Sequence, residues 1–84
     1  MSKVFSKMIN KLIQVDQLIR LKATGQPREL ARRLRVAPST VYEYLAILKT
    51  VLSAPVRYCK TRRSYVYDEE GKLYIGFKKN PSTS

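Results

Sequence analysis

Between Lys3 and Ala23 the apolar residues recur at helical spacing. Phe5, Ile9, Leu12 and Ile19 trace one side, in line with Asp16, and Met8, Val15 and Leu18 widen the stripe. Asp16 and Arg20 stand at the i,i+4 spacing of a weak surface ion pair. Thr24 and Gly25 predict the helix end, because glycine tolerates the left-handed conformation wanted just past a C-terminus. A second helix is predicted from Pro27, whose fixed φ suits a first helical position, and Glu29 in its first turn meets the helix dipole favourably. Leu30, Ala31 and Leu34 make its buried face, while Arg28, Arg32 and Arg33 stay outside. A helix of about two turns could not stand alone.

Arg35, Val36 and Ala37 form a tight turn, with Val36 placed to fill the gap between helices. Pro38 marks a third helix start. Val41, Leu45, Leu48 and Leu52 line one face of it, flanked by Tyr44, while Ser39, Tyr42, Glu43, Ala46 and Thr50 point the other way. Ser53, Ala54 and Pro55 break that helix, and the pattern then alternates. Val56–Cys59, Ser64–Tyr67 and Leu73–Phe77 are predicted as three short antiparallel strands. Their first turn, Lys60–Arg63, is strongly basic. The second, Asp68–Gly71, is acidic and ends in a glycine suited to positive φ.

Three helices followed by a small antiparallel hairpin sheet make an α+β, mainly α chain. The order is that of a winged helix, a helix-turn-helix core with a β-hairpin wing, over residues 1–79. Residues 1–12 are placed to extend the core as an N-terminal helix, and residues 80–84 read as a flexible tail.

Composition narrows the function. Eighty-four residues form one small domain, too small for a large catalytic cleft. Seventeen Lys and Arg face six Asp and Glu, a net charge of +11, so the surface field attracts polyanions. One cysteine, Cys59, rules out an intrachain disulfide, and with no histidine the usual zinc ligand sets are excluded. Lys7, Asn10 and Lys11 interrupt the N-terminal apolar residues, which argues against a signal peptide or membrane span. The expectation is a cytoplasmic, nucleoid-associated protein with no cofactor and no small-molecule ligand. Without a histidine, a Gly-rich phosphate loop or a carboxylate pair other than the solvated Asp68-Glu69-Glu70 turn, catalysis finds little support.

A helix fits the major groove of DNA, where each base pair shows its own donors, acceptors and methyls. The helix from Pro38 is the candidate reader. Ser39 can bond a base edge or phosphate, Tyr42 can pack on a thymine methyl, and Glu43 can accept from a cytosine amino group. Glu43 would repel a nearby phosphate, which makes it a specificity element if it faces the groove. Its alternative is a solvated charge paired with Lys49 or an arginine of the second helix. Tyr42 reads equally as a half-buried surface aromatic. Thr40 is a phosphate candidate, or else a cap for its own helix. Arg28, Arg32, Arg35 and Lys49 are further phosphate candidates around the turn and helix. Lys60, Arg62 and Arg63 are the equivalent at the wing tip. Tyr58, Tyr65, Tyr67 and Tyr74 could stack unpaired bases, but packing within the sheet is the simpler role. Cys59 reads as a small buried strand residue.

The segments DQLIRLKATG, PRELARRL, RVAPSTVYEYL, APVRYCKTRRSYVY and KLYIGF together resemble small bacterial winged helix-turn-helix proteins, over about Asp16 to Phe77. The resemblance implies a DNA-binding transcriptional regulator. Arg35 stands where such turns usually carry glycine, so it takes a left-handed conformation or the turn differs. Ala37 replaces a Ser-type cap and Ser53 replaces the glycine that often ends the third helix. The expected partner is double-stranded DNA, read by a homodimer if Phe5, Met8, Ile9 and Leu12 of the N-terminal helix form an interface. The rivals are a protein-interaction module on the same scaffold, and RNA or single-strand binding through the tyrosine-rich sheet.

Overall fold

The computed structural model describes residues 3–75. Over that span helix α1 runs Lys3–Arg20, α2 Pro27–Leu34 and α3 Pro38–Thr50, followed by strands β1 Val56–Cys59 and β2 Ser64–Tyr67. Three helices and a two-stranded antiparallel sheet give the mainly helical α+β, winged-helix-like layout that the periodicity predicts.

One core joins all five elements. Leu12, Val15 and Ile19 of α1 meet Leu30, Ala31 and Leu34 of α2, and Val41, Tyr44, Leu45 and Leu48 of α3, with Val56 and Tyr65 closing the cluster from the sheet. Helix α2, at eight residues, is too short to persist without such packing. Burial of Leu30 and Leu34 contributes roughly 1.5–3 kcal/mol each. Lys11 adds a polar tie, its Nζ donating to the Leu34 carbonyl at 2.6 Å, which sets a cation on the negative end of the α2 dipole. Val36 packs half-buried against the core from the turn, in its expected place.

The helix ends depart from expectation. Helix α1 stops at Arg20, and the left-handed residue that closes it is Lys22 (φ 55°). Lys22 N–H donates to Ile19 O and Ala23 N–H to Leu18 O, both at 2.9 Å, the paired bonds of a Schellman ending. Helix α2 ends the same way at Arg35 (φ 58°), with Val36 N–H on Ala31 O at 3.0 Å. The turn therefore keeps its shape and the arginine carries the strain. Ser53 (φ 55°) does likewise after α3. Gly25 is left-handed too (φ 70°), and a Cβ there would lie 2.9 Å from the Glu29 Cβ.

The Asp16–Arg20 pair forms, but it is not a surface pair. Asp16 is 3% exposed. Its Oδ2 accepts from Arg20 Nε at 3.0 Å, and its Oδ1 accepts from the Tyr67 hydroxyl at 2.7 Å and the Leu73 N–H at 2.9 Å. Helix α1, strand β2 and the segment after the sheet thus converge on one carboxylate. A second buried node pins the other end of β2. Tyr65 N–H donates to Thr24 Oγ1 at 2.8 Å, Thr24 N–H donates to Ser64 Oγ at 3.1 Å, and the two hydroxyls lie 3.0 Å apart. Thr24 so covers the edge of β2 that faces away from β1.

Among the described residues the sheet has two strands where three were expected. Val56 pairs with Tyr67 and Cys59 with Ser64, and Asp68 N–H extends the ladder to Pro55 O at 2.9 Å. Leu73–Ile75 forms no strand and is tied to Asp16 instead. Gly76, Phe77 and the tail at 80–84 lie outside the described residues. Gly71 does not take positive φ, so the acidic segment does not turn the chain as a hairpin would.

Two stability tests follow from these features. Arg35→Gly relieves left-handed strain and raises stability by about 1 kcal/mol, a Tm increase of about 4–8 °C by calorimetry. Asp16→Ala leaves the Tyr67 hydroxyl and Leu73 N–H without an acceptor and costs about 3 kcal/mol in urea unfolding. Asp16→Asn retains one acceptor oxygen and loses about half as much.

Candidate nucleic-acid interface

Helix α3 is divided lengthwise. Val41, Tyr44, Leu45 and Leu48 are buried, and Ser39, Tyr42, Glu43, Ala46, Lys49 and Thr50 are exposed. The three base-contact candidates, Ser39, Tyr42 and Glu43, therefore share one outward stripe near the helix start. Tyr42 is 57% exposed, more open than a half-buried aromatic. Thr40 sits beside the stripe, half-buried, and among the described residues its side chain makes no capping bond. Ala37 starts the helix without a side-chain cap, as its residue type dictates.

The cations around α3 are uncompensated. Among the described residues the ion pairs are Arg20–Asp16 and Arg57–Asp68. Arg28, Arg32, Arg35, Lys49, Lys60, Arg62 and Arg63 are exposed and engage no carboxylate there. Glu43 pairs with neither Lys49 nor an α2 arginine, so the ion-pair alternative for it does not hold.

Lys60, Arg62 and Arg63 sit together in the loop joining β1 to β2, where Arg63 is left-handed (φ 52°) and its N–H donates to Lys60 O at 3.3 Å. Beneath them Cys59 is half-buried, not buried as its strand position suggested. Its thiol is held below the usual range, first by the backbone N–H of Arg62, then by that of Thr61 and the Arg57 cation, against an opposing effect of burial.

The sheet tyrosines are largely committed to packing. Tyr58 meets buried Tyr65 edge-to-face, with ring centroids 5.1 Å apart, and Tyr67 donates to Asp16. Tyr74, expected within the sheet, lies outside it and is exposed. Helix α3 also packs against strand β1, so the reader candidate and the hairpin are neighbours. Nothing in the local pattern announced that neighbourhood. It arises from where the hairpin docks.

Comparison with family models, with curated proteins and with solved structures finds no match for this chain. Among the described residues, no helix is long and apolar enough to cross a membrane.

Burial raises the Tyr65 and Tyr67 phenols above their ordinary range, and the bond to Asp16 raises Tyr67 further. The folded state favours the neutral phenols, whereas the unfolded chain ionises near pH ~10. This contribution to stability is complete below about pH 10 and falls as the pH rises above it. Urea unfolding between about pH 7 and about pH 11 should show that decline. Tyr67→Phe should flatten it while costing about 1 kcal/mol at neutral pH.

Proposed function

We propose that this chain binds double-stranded DNA as a winged helix-turn-helix regulator, with the N-terminal half of α3 in the major groove. The observation that carries this reading is the pairing of two features. Ser39, Tyr42 and Glu43 form an outward stripe on a helix whose other side is buried, and seven exposed cations of α2, its turn, α3 and the β1–β2 loop engage no carboxylate among the described residues. On this reading the anchored helix is the reader and the free cations meet phosphates. Ser39 and Tyr42 take base edges or adjacent phosphates, and Glu43 discriminates by accepting from a cytosine amino group. Arg28, Arg32, Arg35, Thr40 and Lys49 serve the backbone near the reader, and Lys60, Arg62 and Arg63 serve it at the wing. The role is binding rather than catalysis, in the cytoplasm at the nucleoid. Commitment of the sheet tyrosines to packing weighs against single-strand stacking there.

If about six to eight phosphates are neutralised, log K falls with log salt at a slope of about −5 to −7. Titration of a labelled duplex across salt concentrations measures it, and a slope near zero would refute the electrostatic half of the proposal. Arg62→Ala/Arg63→Ala should weaken all duplexes alike and lower the slope by about two. Glu43→Ala should instead change the preferred sequence in a random-oligonucleotide selection. Single strands competing as well as duplex would favour the rival reading.

A further inference from the structure

A groove of about 300 Å³ opens past the C-terminal end of α3, between Leu52–Pro55 and Glu69–Tyr74. Leu52, Ala54, Pro55 and Leu73 line it with apolar surface, and Glu69 and Glu70 stand over it with Lys72. Three of the six carboxylates of the chain are consecutive at Asp68–Glu70. Asp68 is taken by Arg57, whereas Glu69 and Glu70 enter no ion pair among the described residues. With Lys72 counted, the groove is one charge negative within a chain of net charge +11. A ligand suited to it carries cations next to exposed apolar groups.

The chain itself presents such a segment. The first turn of α1 contains no acidic residue, Lys3 and Lys7 lie four apart on one side, and Val4 beside them is 79% exposed. That first turn runs beyond the core, which α1 reaches at Met8 and enters fully at Leu12. Helix α1 is unbroken from Lys3 to Arg20, so Lys3 stands about 20 Å along the axis from Asp16. Asp16 holds Leu73, a groove residue. The helix cannot double back, so its own N-terminal end cannot enter its own groove.

We infer that this groove receives the N-terminal turns of α1 from a second copy of the chain, with Lys3 and Lys7 meeting Glu69 and Glu70 while Val4 covers the apolar floor. The contact is heterologous. Each copy carries one groove and one helix end, so two copies can exchange ends reciprocally or several can link in series. The surface lies at the other end of α3 from Ser39, roughly 17 Å along the helix, and does not depend on the DNA reading.

Sedimentation velocity of the full chain without nucleic acid tests it. Between about 10 and about 500 µM the weight-average mass should rise by about half or more, as a Kd on the order of 100 µM gives. Lys3→Glu/Lys7→Glu makes both surfaces acidic, and Glu69→Lys/Glu70→Lys makes both basic, so each variant alone should remain monomeric. Mixed in equal amounts they should associate again, because each then offers the charge that the other lacks. All four substituted residues are exposed, so both variants should fold, and circular dichroism checks this. The inference is overturned if the native chain stays monomeric, or if either variant alone associates as well as the native chain. It is also overturned if the mixture stays monomeric, or if only a chain shortened to Ile75 assembles, which would mean that residues 76–84 fill the groove.

Discussion

The molecule is organised around one buried anion. Asp16 would be costly to enclose if it were bare, since a desolvated carboxylate needs donors on several sides. Here it has three, from its own helix, from β2 and from the backbone of the segment beyond. That requirement fixes the distance between α1 and the sheet more narrowly than apolar contact could, because hydrogen bonds have direction and core packing does not. The hairpin is otherwise a two-stranded ribbon, and such ribbons are marginal in water by themselves. The carboxylate at one end of β2 and the Thr24–Ser64 hydroxyls at the other give it two polar anchors on the helical body.

The placement of α3 follows from that arrangement. Its buried residues seat it against α2 and the core, while β1 closes against it from the sheet side. The outward stripe is what remains after every demand for burial has been met. This is why the exposed face is polar and regular although no local rule requires these particular residues there. The left-handed arginine at position 35 belongs to the same economy of shape. The turn between α2 and α3 has a fixed geometry, and a side chain with a Cβ has been fitted into it.

Much of this was legible in the residues. The helix starts at Pro27 and Pro38 were plain because proline suits only a few positions, and the buried faces of α2 and α3 followed from spacing alone. The stripe of Ser39, Tyr42 and Glu43 was read from the same periodicity. The failures share a cause. Leu73–Ile75 alternates like a strand, yet Leu73 bonds to a side chain 57 residues away and the segment joins no ladder, a competition that local pattern cannot display. Asp16 looked like a solvent-facing charge because the donors that bury it lie more than fifty residues downstream. Gly25 drew the helix end too far along, since Lys22 adopts the conformation that glycine was expected to supply.

One detail of the aromatic arrangement has a practical consequence. The chain contains no tryptophan, so its ultraviolet emission comes from six tyrosines alone. Tyr65 lies edge-to-face with Tyr58, ring centroids 5.1 Å apart, one ring from each strand. Excitation can pass between two rings so closely placed. Unfolding separates them, so the chain's own emission reports whether the hairpin is formed, without a dye.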